Sequence, residues 1–283
     1  MRAEELYNNI LNSYYIPNAH EEWADYRRLV TDRIIGFTEP GMSVAVIGVG
    51  ESNDVDLARV YEHSGNVALF DIDVNAMKQA LKRYGIEGAK GVSVNRCDLF
   101  GISKNEYIGL IGKCLDGSVM SNKKADVQGI VKHMMEIIDI AGGRDVRVAS
   151  TKFDCTIAVG LHSQIVGLLA HIWEYLSIIG GITDNCVVES LVKLNNTLIP
   201  RVNEALIAIT KEKLFVGYEM YDMTFGPEST IQGAVQCNHD LNSRIKNNDL
   251  RLEDSFIEVW PFSGDKKYKM LFYEMRVLNH IAF

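Results

Sequence analysis

Cysteine is scarce in this chain and poorly placed for cross-linking. The five residues, Cys97, Cys114, Cys155, Cys186 and Cys237, are odd in number, widely spaced and free of any CxxC pair. That pattern argues against a disulfide framework or a zinc site and for reduced thiols in a cytoplasmic protein. Long apolar runs are absent too: none reaches about 18 residues, so no membrane span is expected. The opening MRAEELYNN carries acids and soon turns polar, unlike a secretory signal. Positive charge is in deficit, with 29 lysines and arginines against 37 aspartates and glutamates, a formal net charge of −8 and no long basic block. A nucleic-acid duplex is therefore disfavoured as a partner. Internal repeats and low-complexity tracts are missing as well.

What is present is 283 residues, 47% of them hydrophobic, enough for one large domain with a real core and a small appendage. The organising stretch is SVAVIGVGESNDVDLARVYEHSGNVALFDID, from Ser43 to Asp73. Val44 to Ile47 form a short continuous apolar run, as in a parallel strand covered on both faces. Gly48 and Gly50 allow a tight turn, Asn53 and Asp54 are candidate caps of a helix, and Val67 to Phe70 make a second buried strand that Asp71 closes. Strand, glycine turn, helix and acid-terminated strand form the nucleotide-binding half of a Rossmann-like fold.

Residues 1–40 read as an N-terminal helical extension. One helix spans Ala3 to Tyr15, Pro17 ends it, and a second starts near Ala19, with Trp23, Tyr26, Val30 and Ile34 on one side. Residues 41–283 read as the Rossmann-like domain. Asp73 caps a helix that Gly85 ends, a third strand lies around Gly91 to Asn95, and Asp98 stands at its exit. The segment from Ser103 to Gly143 is long for a crossover, and its second half is an amphipathic helix. FDCTIAV, Phe153 to Val159, is a fourth strand, from which Gly160, Leu161, His162, Ser163 and Gln164 turn into another helix. A further helix runs from about Asp184, with Pro200 kinking it or starting a new one. Leu214 to Tyr218 form a fifth strand, and Phe256 to Trp260 with Tyr268 to Val277 form a terminal hairpin turning at Gly264 and Asp265.

Strands alternating with helices and then a two-stranded ending imply a mostly parallel α/β sheet, helices on both faces, finishing in an antiparallel β-hairpin. With Gly48, Gly50, Asn53 and Asp54 in the first turn, Phe153 and Asp154 leading the fourth strand, Leu161, Ser163 and Gln164 after it, and Trp260 with Tyr268 in the hairpin, the chain resembles the class I S-adenosylmethionine-dependent methyltransferases. It looks most like their poorly characterised bacterial members, over roughly Gly41 to Val277. Two positions depart from the family pattern: Val46 stands where an acid precedes the glycines, and Ser52 stands where the third glycine falls.

The resemblance implies S-adenosylmethionine as cofactor and methyl transfer to a small-molecule acceptor. Gly48, Gly50, Asn53 and Gly160 would admit the ligand closely, Asp71 would accept both ribose hydroxyl protons with Ile72 beside it, and Asp98 with Leu99 would flank the adenine. No metal is called for. At the turn after the fourth strand His162 is the candidate general base, being the one residue there that titrates near neutral pH. Tyr14, Tyr15, Trp23 and Tyr221 are candidate liners of an acceptor pocket. No Gly-x-Ser-x-Gly elbow lies nearby, which disfavours a serine hydrolase, and an NPPY-type motif for base-amine methylation is absent. Transfer of another adenosylmethionine group, such as aminocarboxypropyl, and a non-catalytic adenosylmethionine or nucleotide sensor are the alternatives. A nicotinamide enzyme fits less well, because Asn53 replaces the last glycine of GxGxxG and the chain ends in a hairpin.

Overall fold

The computed structural model describes residues 2–13, 16–118, 127–183, 185–229 and 232–278. Tyr14, Tyr15 and Asp184 lie outside them. Seven strands form one sheet in the order β3-β2-β1-β4-β5-β7-β6. They are β1 (Ser43–Ile47), β2 (Asn66–Asp71), β3 (Val92–Arg96), β4 (Phe153–Val159), β5 (Thr210–Asp222), β6 (Leu250–Ser263) and β7 (Lys266–Val277). The first five pair in parallel, and β7 runs antiparallel to both neighbours. A mostly parallel α/β sheet with a reversed strand at its end is the architecture expected above. Strand order reverses between β1 and β4, and the crevice outside the carboxyl ends of such a pair is where open α/β sheets bind ligands.

The sheet holds because its central strands are apolar on both sides. Val44, Ala45, Val46 and Ile47 are all 4% exposed or less, and full burial of each larger side chain contributes about 1.5–3 kcal/mol. On one face, Val44, Val46, Leu69, Ile157, Phe215 and Phe272 pack with Val30, Ile34, Leu57 and Met77. These last four come from helices α3 (Ala24–Phe37), α4 (Leu57–Ser64) and α5 (Val74–Arg83), which follow the short α1 (Ala3–Asn12) and α2 (Ala19–Glu22). The opposite face of β5 presents Tyr218, whose hydroxyl donates to Asn238 at 3.0 Å. Asn238 lies on α10 (Gln232–Lys246), a segment whose polarity concealed its helical state in the sequence. Asp154 ties the start of β4 to β1 by accepting from the Ser43 N–H at 2.8 Å and from the Lys211 Nζ at 2.9 Å. Burial opposes its ionisation, yet these partners hold its carboxyl down to about 2, a structural assignment for this residue.

The remaining helices are α6 (Lys104–Ser118), α7 (Val127–Gly143), α8 (Gly167–Gly180) and α9 (Cys186–Ala208). The long segment after β3 thus holds two helices rather than one. α9 continues through Pro200 without a break in its assignment. The chain gathers into two compact units: residues 1–15, 98–147 and 164–201 form one, and 16–97, 148–163 and 202–283 the other. The N-terminal stretch is shared between them, α1 falling in the first, and α2 and α3 with the sheet. Within the first unit Leu6, Tyr7 and Ile10 of α1 are buried, and Tyr7 meets Tyr107 with ring centroids 6.0 Å apart. No helix among the described residues is long and apolar enough to cross a membrane.

Candidate functional site

The loop leaving β1 takes a positive φ at every second residue. Gly48, Gly50 and Ser52 have φ of 70°, 48° and 52°, so Ser52 adopts the conformation of the glycine it replaces. It is held there by its N–H to Val49 O and its hydroxyl to Val55 O, both at 2.7 Å. A Cβ on Gly48 would meet Leu161 Cδ1 at 2.8 Å, whereas one on Gly50 would meet open space. The loop is closed by Asp71 at the end of β2, which accepts from the Gly50 N–H and the Asp73 N–H, each at 2.8 Å. Burial raises the Asp71 carboxyl and the two N–H donors oppose that rise. A carboxylate has lone pairs beyond two acceptor bonds, so Asp71 keeps capacity for a ligand hydroxyl. Ile72 follows it, half-buried.

Asn53 and Asp54 do not cap the next helix. Asp56 does, accepting from the Arg59 N–H at 3.1 Å. Asn53 is engaged on both its polar ends, Oδ1 with Arg83 Nη1 at 2.8 Å and its carbonyl with Arg27 Nη1 at 3.0 Å. Asp98 opens the other compact unit, where its Oδ1 accepts from the N–H groups of Phe100 and Ile102 and its Oδ2 from the Tyr107 hydroxyl. That carboxylate organises its own turn, with Leu99 half-buried inside it.

The turn after β4 sends neighbouring residues to opposite faces of the sheet. Gly160, at φ 65°, donates its N–H to Gly217 O at 2.9 Å. His162 then points to the face of Tyr218, fully buried, with Nε2 2.7 Å from Asn203 Oδ1. Asn203 donates its amide N–H to Asp240 at 2.9 Å, so its oxygen accepts and His162 carries its proton on Nε2. Burial pushes His162 down to about 4, against the opposing pull of Asn203 and Asp240. This corrects the expectation of a general base at His162: the ring is sequestered and neutral, a structural element of the α9–α10 side.

Ser163 turns to the other face, and its hydroxyl donates to Glu219 Oε1 at 2.8 Å. Glu219 is 2% exposed, and its Oε2 has no partner among the described residues. Burial raises its carboxyl. Tyr26, at the start of α3, is 4% exposed with an equally unpartnered hydroxyl. After burial itself, Asp54, Glu219 and Glu258 are what push the Tyr26 hydroxyl upward. Part of the Asp54 residue reaches solvent, yet its carboxyl is desolvated and pushed up to about 7, with Glu219 adding to the rise. Trp260 closes the group: its ring lies near-parallel to Tyr26 at 6.3 Å between centroids and at 4.9 Å from Trp23. A Cβ on Gly160 would stand 3.8 Å from both Glu219 Oε1 and Trp260 Cη2.

Sequence reasoning missed Glu219 by ending β5 at Tyr218. The available signal was alternation: Phe215, Gly217 and Glu219 share a face, which puts an acid at the carboxyl end of an apolar row. Of the aromatic candidates, Trp23 is buried beside Trp260, and Tyr221 lies under the Lys269 ammonium at 5.7 Å. Among the described residues no group of three His, Cys, Asp or Glu side chains is arranged to hold a metal ion.

No protein-family model matches the chain, and no curated protein sequence matches it either. Among solved structures the chain is similar to magnesium protoporphyrin IX methyltransferase ChlM from Synechocystis PCC 6803 with bound SAH. Identity is 10%, coverage 96% of this chain and 100% of that one, and the TM-score 0.47. It is similar also to the N-methyltransferase NodS from Bradyrhizobium japonicum WM9 in complex with S-adenosyl-L-homocysteine, at 11% identity, 98% and 99% coverage and a TM-score of 0.44.

Proposed function

We propose that this protein transfers the methyl group of S-adenosylmethionine to a small-molecule acceptor. The observation that carries the reading is the β1 turn: three left-handed positions at Gly48, Gly50 and Ser52, closed by Asp71 from β2, at the point where strand order reverses. The residues fit the cofactor. Open space over Gly50 admits a ligand against bare backbone. Asp71, with lone pairs to spare, accepts ribose hydroxyl protons. When bound, S-adenosylmethionine supplies a methyl group already activated by its sulfonium, so the work left to the chain is alignment and exclusion of water. A strong base is not required, consistent with the neutral, sequestered His162.

Calorimetric titration with S-adenosylmethionine, S-adenosylhomocysteine and NAD tests this. The expected result is saturable binding of both sulfur ligands and none of NAD; failure to bind either sulfur ligand overturns the proposal. Mass analysis of products then separates a gain of one methyl from transfer of an aminocarboxypropyl group.

A further inference from the structure

Near the carboxyl edge of the sheet lies a set of polar groups that the described residues do not satisfy. A buried polar atom without a partner costs about 1–3 kcal/mol, more if charged. Among the described residues Glu219 Oε2, the Tyr26 hydroxyl and Trp260 Nε1 all lack one. They belong to one locality, joined by Trp260: a Cβ on Gly160 would stand 3.8 Å from both Glu219 Oε1 and Trp260 Cη2, and the Trp260 and Tyr26 ring centroids are 6.3 Å apart. The cation next to Tyr26 in sequence is already committed: Arg27 gives its guanidinium to the carbonyls of His20 and Asn53. What the locality offers is negative charge, a free acceptor oxygen, a hydroxyl able to accept, and the rings of Tyr26 and Trp260.

An anion is repelled by that combination, and a neutral apolar group leaves the carboxylate unpaired. A positively charged N–H donor serves the acceptors and the rings together: it pairs with Glu219 Oε2, donates to the Tyr26 hydroxyl and lies against aromatic faces, and it leaves the Trp260 indole N–H, itself unpartnered among the described residues, for an acceptor elsewhere on the ligand. Ser163 fixes the rotamer of Glu219 by occupying the other oxygen. Val46, at the position where the resemblance places an acid, is instead 4% exposed within the apolar core, so β1 contributes no countercharge.

We infer that Glu219, supported by Tyr26 and Trp260, forms a binding site for an alkylammonium group. The inference deepens the methyl-transfer reading, because such a group has two sources there: the amino-acid tail of the donor, or an amine acceptor.

The test compares wild type with Glu219→Gln and Tyr26→Phe. S-adenosylhomocysteine carries the ammonium-bearing tail, 5′-methylthioadenosine lacks it, and n-butylamine is a bare ammonium probe read through its effect on melting temperature. Tyr26→Phe is expected to raise the melting temperature of the free protein, since it removes an unsatisfied buried hydroxyl, whereas Glu219→Gln keeps a polar atom at that position. Glu219→Gln is expected to weaken one ammonium ligand about tenfold to hundredfold and to leave 5′-methylthioadenosine unaffected. Loss confined to S-adenosylhomocysteine assigns the site to the donor tail. Loss confined to n-butylamine, measured with S-adenosylhomocysteine saturating, assigns it to the acceptor. Unchanged affinity for both ammonium ligands in either variant overturns the inference, and Tyr26→Phe decides the matter if Glu219→Gln does not fold. Failure of the methyl-transfer reading is separate: wild type then binds neither adenosine ligand, while the n-butylamine arm still reports on Glu219.

Discussion

The exits of β1 and β4 are adjacent in the sheet and built on opposite plans. The β1 exit is made from nearby sequence: Gly48, Gly50 and Ser52 turn and Asp71 arrives one strand later, with Arg27, Arg83 and Tyr84 bracing the loop from either side of that βαβ unit. The β4 exit is a parting of ways, with His162 drawn into the α9–α10 side and Ser163 delivered to Glu219 on the other face. Its partners come from residues 203 and 219, with Trp260 beside Gly160. A turn rich in polar residues is therefore not one site, because consecutive side chains at a strand end belong to different sides of the sheet.

The largest effect that separates the two exits is the pH response of His162. Its folded pKa of about 4 lies below the ordinary 6.5, so the unfolded chain binds the extra proton first. The stability it confers is complete above pH 6.5 and is lost as pH falls from 6.5 towards 4, on the order of 3 kcal/mol over that window. Urea unfolding of wild type and His162→Gln across pH 4–7 measures it. The expected outcome is a slope in wild type that the variant flattens, with cofactor affinity at pH 7 unchanged in both. A variant that keeps the slope would place its origin elsewhere, and one that loses cofactor binding would return His162 to the site.

Next in size is Asp71, the counterpart at the β1 exit. Asp71→Ala removes an acceptor for ribose hydroxyls and also frees the Gly50 N–H that the carboxylate now holds. Charged hydrogen bonds contribute about 1.5–3 kcal/mol each, so S-adenosylhomocysteine should bind about a hundredfold more weakly by calorimetry. Asp71→Asn retains one acceptor oxygen and should fall between. Equal affinity in all three proteins would move the ribose contact away from β2.

This contrast also explains what could be read in advance. The sheet, its reversed last strand, the glycine turn and Asp71 were legible because each is a local pattern of apolar runs, breakers and terminal acids. Asp73 was legible as a cap for the same reason, and it accepts from the N–H groups of Asn75 and Ala76. Asn53 was misjudged by three residues because several cap-competent side chains stand in a row, and only the fold selects Asp56. Tyr26 looked like one more core aromatic at helical spacing, which it also is. Its hydroxyl becomes informative only beside Glu219, 193 positions later, and no window of sequence contains both. α10 was hidden for a different reason: its exposed face is polar and only Ala234, Cys237 and Leu241 with Gly233 are buried, a stripe too thin to register as a period.

The smallest effect concerns Ser52, where sequence and backbone disagree about what the β1 turn is. Its φ of 52° costs a residue bearing a Cβ about 1–2 kcal/mol, while glycine there gives back about 0.5–1 kcal/mol through the greater freedom of the unfolded chain. Ser52→Ala and Ser52→Gly both lose the hydroxyl bond to Val55 O, so that loss cancels in their comparison and only the backbone difference remains. Ser52→Gly should therefore be the more stable of the two by about 0.5–1 kcal/mol, read as a higher urea midpoint at unchanged slope. If alanine is as stable as glycine, the turn tolerates relaxation at this position, and the likeness between Ser52 and a third glycine ends at the sequence. If glycine wins, the left-handed position is imposed by the turn itself, and the Val55 bond is what let serine take the place of glycine.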